Sequence, residues 1–207
     1  MTALSMPEVA ILAKAPVPGL AKTRLIPALG RDGAADLQAR LIAKTVRTAL
    51  AAGIGPVTLW CAPDCSHPAF AAAGIPLRPQ PADDLGGRML AAFAAAAGPL
   101  VLIGTDCPCL EPQDLRDAAA ALETADAAIA PAEDGGYGLI AATRPLPILF
   151  EAMPWGGDAV AALTRARASA AGLRLAELRT IWDVDRPEDL SRLAASGLLA
   201  EVFSHTG

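Results

Sequence analysis

Short apolar runs closed by proline or glycine alternate along the chain with alanine-rich stretches of helical period. Val9-Ala10-Ile11-Leu12-Ala13, Val57-Thr58-Leu59-Trp60-Cys61 and Ala127-Ala128-Ile129-Ala130 are too short for helices and read as buried strands. Residues 75–80 read as an edge or short strand, because their prolines remove ladder donors. Residues 173–178 form a further short strand candidate. Between the strands, residues 32–52 carry Leu37, Leu41, Thr45 and Thr48 at helical spacing, with Gly53 as the stop. Further helices are expected from the Asp83-Asp84 cap to about residue 97 and from Pro112 to about 124. Two more run from about 159 to 171, behind an Asp158 cap, and beyond residue 187. Strands alternating with helices over short connections describe an α/β fold, a three-layer α/β/α sandwich around a mostly parallel sheet.

The run Leu100-Val101-Leu102-Ile103 is apolar throughout, so it belongs to a strand covered on both faces. It passes through Gly104 and Thr105 into Asp106, and Pro108 prevents continuation. In open α/β sheets ligands bind outside the carboxyl ends of the strands, which makes Asp106 the first candidate functional group.

Composition narrows the setting. The 207 residues suffice for one sizeable core, so a single domain over 1–207 is expected. The chain is 53% apolar, mostly through alanine, and no apolar run approaches the roughly 18 residues needed to span a bilayer. Residues 1–8 lack the charged start and apolar core of a signal peptide, so the expectation is a cytoplasmic protein without a membrane partner. A net charge of -5 argues against a nucleic-acid surface while leaving room for a local anion pocket. Cys61, Cys65, Cys107 and Cys109 have neither the spacing of a zinc site nor the setting of a disulfide framework. His67 lacks an acidic or thiol partner at a recognisable spacing and reads as a loop residue.

Cations and acids are distributed unevenly around the strand ends. Lys14, Lys22 and Arg24 follow the first strand in a loop stiffened by Pro16 and Pro18. That loop is not a Walker A motif, since two residues separate Gly19 from Lys22, but its charges suit a phosphate group. A solvated basic loop is the alternative. Asp84-Leu85-Gly86-Gly87-Arg88 opens a helix whose paired glycines would let a base or sugar approach the backbone. Asp134-Gly135-Gly136-Tyr137 is either an ordinary hairpin turn or a substrate-binding loop bearing the chain's single tyrosine. Near the end, Asp185 and Glu188 have capping-box spacing, whereas Asp183 has no such structural duty. Two acids separated by one residue at a strand end suit a hard cation.

The loop 13–25, Gly104-Thr105-Asp106-Cys107-Pro108, Asp134-Gly135-Gly136-Tyr137 and Asp183-Val184-Asp185 before Pro187-Glu188-Asp189-Leu190 together resemble a bacterial family. That family was long described as of unknown function, or as glycosyltransferase-like and associated with radical-SAM and arsenosugar pathways. It is similar to the nucleotide-diphospho-sugar transferase superfamily, whose A-type glycosyltransferase fold the resemblance implies here. The resemblance also implies phosphate contacts from Lys14, Lys22 and Arg24, with Gln80, Leu85, Gly86 and Arg88 around the nucleotide. Asp106 would bind Mg²⁺ or Mn²⁺, with Asp185 or Asp183 as the late second ligand. Gly135, Gly136, Tyr137 and Trp155 would meet the acceptor, and Asp134 would be a catalytic base or orienter beside Asp106. Two positions depart from the superfamily pattern: alanine and proline replace a glycine-rich first loop, and Pro108 stands where a second aspartate would complete Asp-x-Asp.

The expected activity is metal-dependent transfer from a nucleotide-activated donor, a nucleotide sugar, to a small-molecule acceptor. Nucleotidyl transfer from a nucleoside triphosphate with release of pyrophosphate is the alternative, and a binding protein without catalysis is a second. The oligomeric state is left open, a homodimer included.

Overall fold

A computed structural model describes residues 6–198; the signal-peptide question therefore falls partly on residues outside the described ones. Seven strands form one sheet: β1 (Glu8–Lys14), β2 (Val57–Ala62), β3 (Leu77–Pro79), β4 (Leu100–Gly104), β5 (Ala127–Pro131), β6 (Tyr137–Ala142) and β7 (Leu175–Glu177). Their order is β3-β2-β1-β4-β6-β5-β7, and every pairing is parallel except those of β6. The helices are α1 (Ile26–Ala52), α2 (Pro68–Ala71), α3 (Leu85–Ala95), α4 (Pro112–Ala121), α5 (Val160–Ala170) and α6 (Asp189–Ala195). Among the described residues no helix is long and apolar enough to cross a membrane.

The period-2 alternation of the strands builds the three layers. Val9, Ile11 and Ala13 of β1 pack with Ile42, Val46 and Ala49 of α1, together with Leu115 and Ala118 of α4. Ala10, between them, faces the opposite side, with Met89 and Phe93 of α3 and Ala161 and Ala168 of α5. This second layer mixes small alanines (Ala10, Ala92, Ala127, Ala142, Ala161, Ala168) with large side chains such as Trp60, Phe93 and Phe150.

Several local readings need correction. Helix α1 begins at Ile26, ahead of the expected residue 32; Gly30 breaks it with φ 70, and the regular part follows. Asp158 does not cap α5, since the cap position is Ala159 and no side chain bonds there. Nor does Asp185 form a capping box with Glu188. The Asp189 carboxylate instead accepts from the Asp185 and Arg186 amides, at 3.0 and 2.7 Å. His67 does have a structural duty, its Nδ1 accepting from the Ala69 amide as the cap of α2. Asp84 caps α3 as expected, accepting from Gly87 N at 2.8 Å.

Candidate functional site

Because β6 runs against its neighbours, its first residue lies at the same sheet edge as the last residues of β1, β4 and β5. That edge opens into a cleft of about 660 Å³. Lys14, Lys22, Arg24, Gln80, Leu85, Arg88, Asp106, Asp134, Gly136, Tyr137, Trp155, Asp183 and Asp185 all line it. Segments separated by most of the chain therefore converge as the strand-end argument anticipates.

Two predicted residues, Gly86 and Gly135, stand behind the wall rather than in it. A Cβ on Gly86 would come within 2.6 Å of Phe150 O and 2.9 Å of Trp155 Nε1. Gly135, at φ +90, is packed against the Asp158 backbone where a Cβ would collide. Both glycines serve close packing of the loop 151–159, a requirement that local sequence does not display.

One half of the cleft is ionic. The loop after β1 folds on itself, with Val17 O accepting from the Leu20 and Ala21 amides at 2.9 and 3.0 Å. Lys22 follows in a left-handed conformation, φ 47, and points inward with only 4% of its side chain exposed. Its Nζ donates to Val184 O at 2.6 Å and pairs with Asp106 Oδ1 at 2.7 Å, while Asp106 remains 52% exposed. The Val184 amide in turn donates to Asp106 O at 2.8 Å. Lys22 thus ties the first loop, the end of β4 and the C-terminal segment together. Arg24 pairs with Asp185 at the rim. Gln38, buried on α1, donates to Thr105 Oγ1 at 3.1 Å and aligns the turn that carries Asp106.

The remaining charges are less committed. Among the described residues the Lys14 ammonium has no protein partner, and Arg88 uses only its Nε, donated to Asp83 O at 2.8 Å. Gln80 donates Nε2 to Ala13 O and Trp60 O, at 3.1 and 2.8 Å. Asp134 accepts from Gly136 N at 2.9 Å, so the hairpin-turn reading holds as geometry while its carboxylate lines the cleft. Asp183 is half-buried, and among the described residues no cation forms an ion pair with it. Burial foremost, then the charges of Asp134, Asp106 and Asp189, push its carboxyl up to about 6.

The other half is apolar. Leu12, Leu102 and Ile140, on the adjacent strands β1, β4 and β6, form a floor, and Met89 and Val160 close it from α3 and α5. Tyr137 joins them through a register shift. Ala130 pairs with Leu139 but Pro131 pairs with Tyr137, leaving Gly138 as an extra residue. Leu139 faces the α1 layer, so plain alternation would send Tyr137 there too; the bulge turns it to the α3–α5 side. Gly138 is needed at the bulge, since a Cβ would run into the Cys107 thiol. The Tyr137 and Trp155 rings meet edge to face, with centroids 6.4 Å apart.

Tyr137 Oη and Trp155 Nε1 are fully buried and lack a hydrogen bond of normal geometry. Burial holds the Tyr137 phenol well above its ordinary range, only partly opposed by the nearby Thr164 hydroxyl, which itself donates to Val160 O at 2.9 Å. Each such orphan costs about 1–3 kcal/mol. In sequence the apolar wall residues are ordinary strand and helix core positions. The parity of Leu12 against Ile11 was the available signal, and it identifies a face, not an opening.

The mostly parallel seven-stranded α/β architecture matches that of nucleotide-diphospho-sugar transferase-like structures. The chain belongs to the family described as "Uncharacterized protein conserved in bacteria (DUF2064)", whose profile matches residues 45–157. No curated protein matches the sequence. The structure is similar to that of a candidate nucleotide-diphospho-sugar transferase from Desulfovibrio desulfuricans G20, with TM-score 0.84 and 29% identity over 96% of this chain and 95% of that one. A nucleotidyl transferase from Methanothermobacter thermautotrophicus has TM-score 0.66 at 19% identity, covering 95% of this chain and 100% of that one. Glucosyl-3-phosphoglycerate synthase from Mycobacterium tuberculosis, solved with Mn²⁺, UDP and glucosyl-3-phosphoglycerate, has TM-score 0.56 at 14% identity, covering 96% and 79%. The last two likenesses concern the fold alone.

Proposed function

We propose that the protein is a transferase that binds a nucleotide-activated donor, a nucleotide sugar, in the ionic half of the cleft and passes the sugar to a small acceptor. The observation that carries this reading is the pairing, at one sheet edge, of uncommitted cations with a group of carboxylates. Lys14 and Arg88 would bind the diphosphate. The Arg24–Asp185 pair at the rim can open to lend its guanidinium. Lys22 is held by Asp106 and Val184, so it fixes the carboxylate in place and lowers the local negative potential.

A divalent cation fits the donor set. Among the described residues no three His, Cys, Asp or Glu side chains form a metal cage. Mg²⁺ and similar ions, however, often take one or two carboxylates plus phosphate oxygens and water. Asp106 would supply one carboxylate and Asp183 or Asp185 the second; Asp106 and Asp185 each already face a cation, Lys22 and Arg24. The chemistry that an ion held by these carboxylates would supply is compensation of the charge developing on the leaving group. Asp134 would orient the acceptor hydroxyl and take its proton at a carboxylate oxygen, the other oxygen being held by Gly136 N.

Release of nucleoside diphosphate from a panel of nucleotide sugars with Mn²⁺ or Mg²⁺, dependent on acceptor, is the expected result. The likeness to a nucleotidyl transferase favours a second reading, for which pyrophosphate release from a nucleoside triphosphate is the signature. Neither product, with no calorimetric nucleotide binding, would overturn both.

A further inference from the structure

The orphaned donors of the apolar half define what that half binds. We infer that it is the acceptor subsite and that it takes an uncharged, hydroxylated ring, a sugar or cyclitol, whose oxygens accept hydrogen bonds from Trp155 Nε1 and Tyr137 Oη. The inference rests on the transferase reading and deepens it.

The chemistry of the wall selects the ligand. Its floor is Leu12, Leu102 and Ile140, and its polar atoms are a phenol and an indole N–H, both neutral. An aromatic pair over an aliphatic floor suits the apolar faces of a sugar ring, and neutral donors suit hydroxyl oxygens. A phosphate or carboxylate would need a cation at this end. Arg167 is the cation acting on Tyr137, but its guanidinium donates to the carbonyls of Ile148, Glu151 and Ala152 at 3.3, 2.6 and 3.0 Å. Asp134, at the boundary with the ionic half, would repel an anion.

The fold also provides access. Trp155 lies between Ala152 and Gly156, both at positive φ, 50 and 83. Arg167 anchors the base of this loop, while its tip, Trp155, rests against Gly86. Nε1 is fully buried where this loop meets Gly86. Lifting this loop off Gly86 would present Nε1 to a ring on the apolar floor, while Tyr137 keeps its place at the start of β6.

The test follows the Trp155 indole N–H resonance of the ¹⁵N-labelled full chain, assigned by comparison with Trp155→Phe. Glucose, ribose and myo-inositol, and separately glucose 6-phosphate and ribose 5-phosphate, are titrated with and without UDP and Mn²⁺. The expected result is a saturable shift from at least one uncharged ring, weakened about tenfold in Tyr137→Phe. Tyr137→Phe should also keep or raise Tm, because it removes an unpartnered buried hydroxyl. Shifts caused only by the phosphate esters, or by no member of the panel, would overturn the inference, as would a fall in Tm of several degrees. Wild-type nucleotide binding, measured by calorimetry, tests the transferase reading separately. If it fails, the titrations without nucleotide still decide the subsite.

Discussion

The two halves of the cleft handle burial of polar groups in opposite ways. In the ionic half the one deeply buried charge, Lys22, is compensated by both Asp106 and Val184 O. In the apolar half Tyr137 Oη and Trp155 Nε1 are buried without a hydrogen bond of normal geometry. A buried polar group is tolerated when paired and costly when not. The ionic half is therefore organised before any ligand arrives, whereas the apolar half has bonding capacity in reserve. The difference teaches where each half is rigid: the ionic half is tied to three segments by one ammonium, and the apolar half is closed by a loop.

Mutations can sharpen this contrast. The largest effect is expected for Asp106→Asn, which removes the carboxylate proposed to hold a metal and weakens the pair with the buried Lys22. Nucleotide affinity with Mn²⁺ should fall by about 100-fold or more, judged by the 10–100-fold that outer-shell partners alone contribute. Unchanged affinity in calorimetry would end the assignment. Next is Lys22→Met, which leaves the Val184 carbonyl and Asp106 without their shared donor. Urea unfolding should show a loss of about 1–3 kcal/mol; a change within error would mean that the ammonium does not tie the segments together.

Lys14→Ala combined with Arg88→Ala should weaken nucleotide binding by about tenfold, more at low salt than at high salt. Equal loss at all ionic strengths would point away from phosphate contacts. The smallest effect belongs to Arg24→Ala. Its partner Asp185 is at the rim and the arginine side chain is 63% exposed, so stability should change by only about 0–1 kcal/mol. A larger loss would show that the rim pair, too, is structural.

How far the sequence was legible differs between these halves. Asp106 could be found because a wholly apolar run ending in Gly-Thr-Asp has few meanings other than a buried strand and the acid beyond it. Lys14 and Arg24 could be found because cations after a strand are local in sequence. The role of Lys22 could not, since its partners Asp106 and Val184 are remote and its left-handed backbone turns it inward. Asp185 and Asp158 illustrate the opposite error. Each has a satisfactory local role as a cap, but a contact from a distant element displaces it: Arg24 takes the Asp185 carboxylate, and Gly135 packs against the Asp158 backbone.

By itself the sequence determined the alternation of strands and helices, the buried central strand and the acids and cations at its margins. Those features depend on periodicity and on turn residues, which act over a few positions. The Asp134–Tyr137 hairpin already implied a strand returning against β5; only the tertiary structure decided that this strand, β6, also pairs with β4 and so brings Tyr137 to the same edge as Asp106. It also decided that a bulge at Gly138 rotates that tyrosine across the sheet, and that Leu12, Leu102 and Ile140 floor a cleft instead of filling a core. Apolar side chains look alike in sequence wherever they pack, and whether they meet a helix or an opening depends on elements that approach from far along the chain.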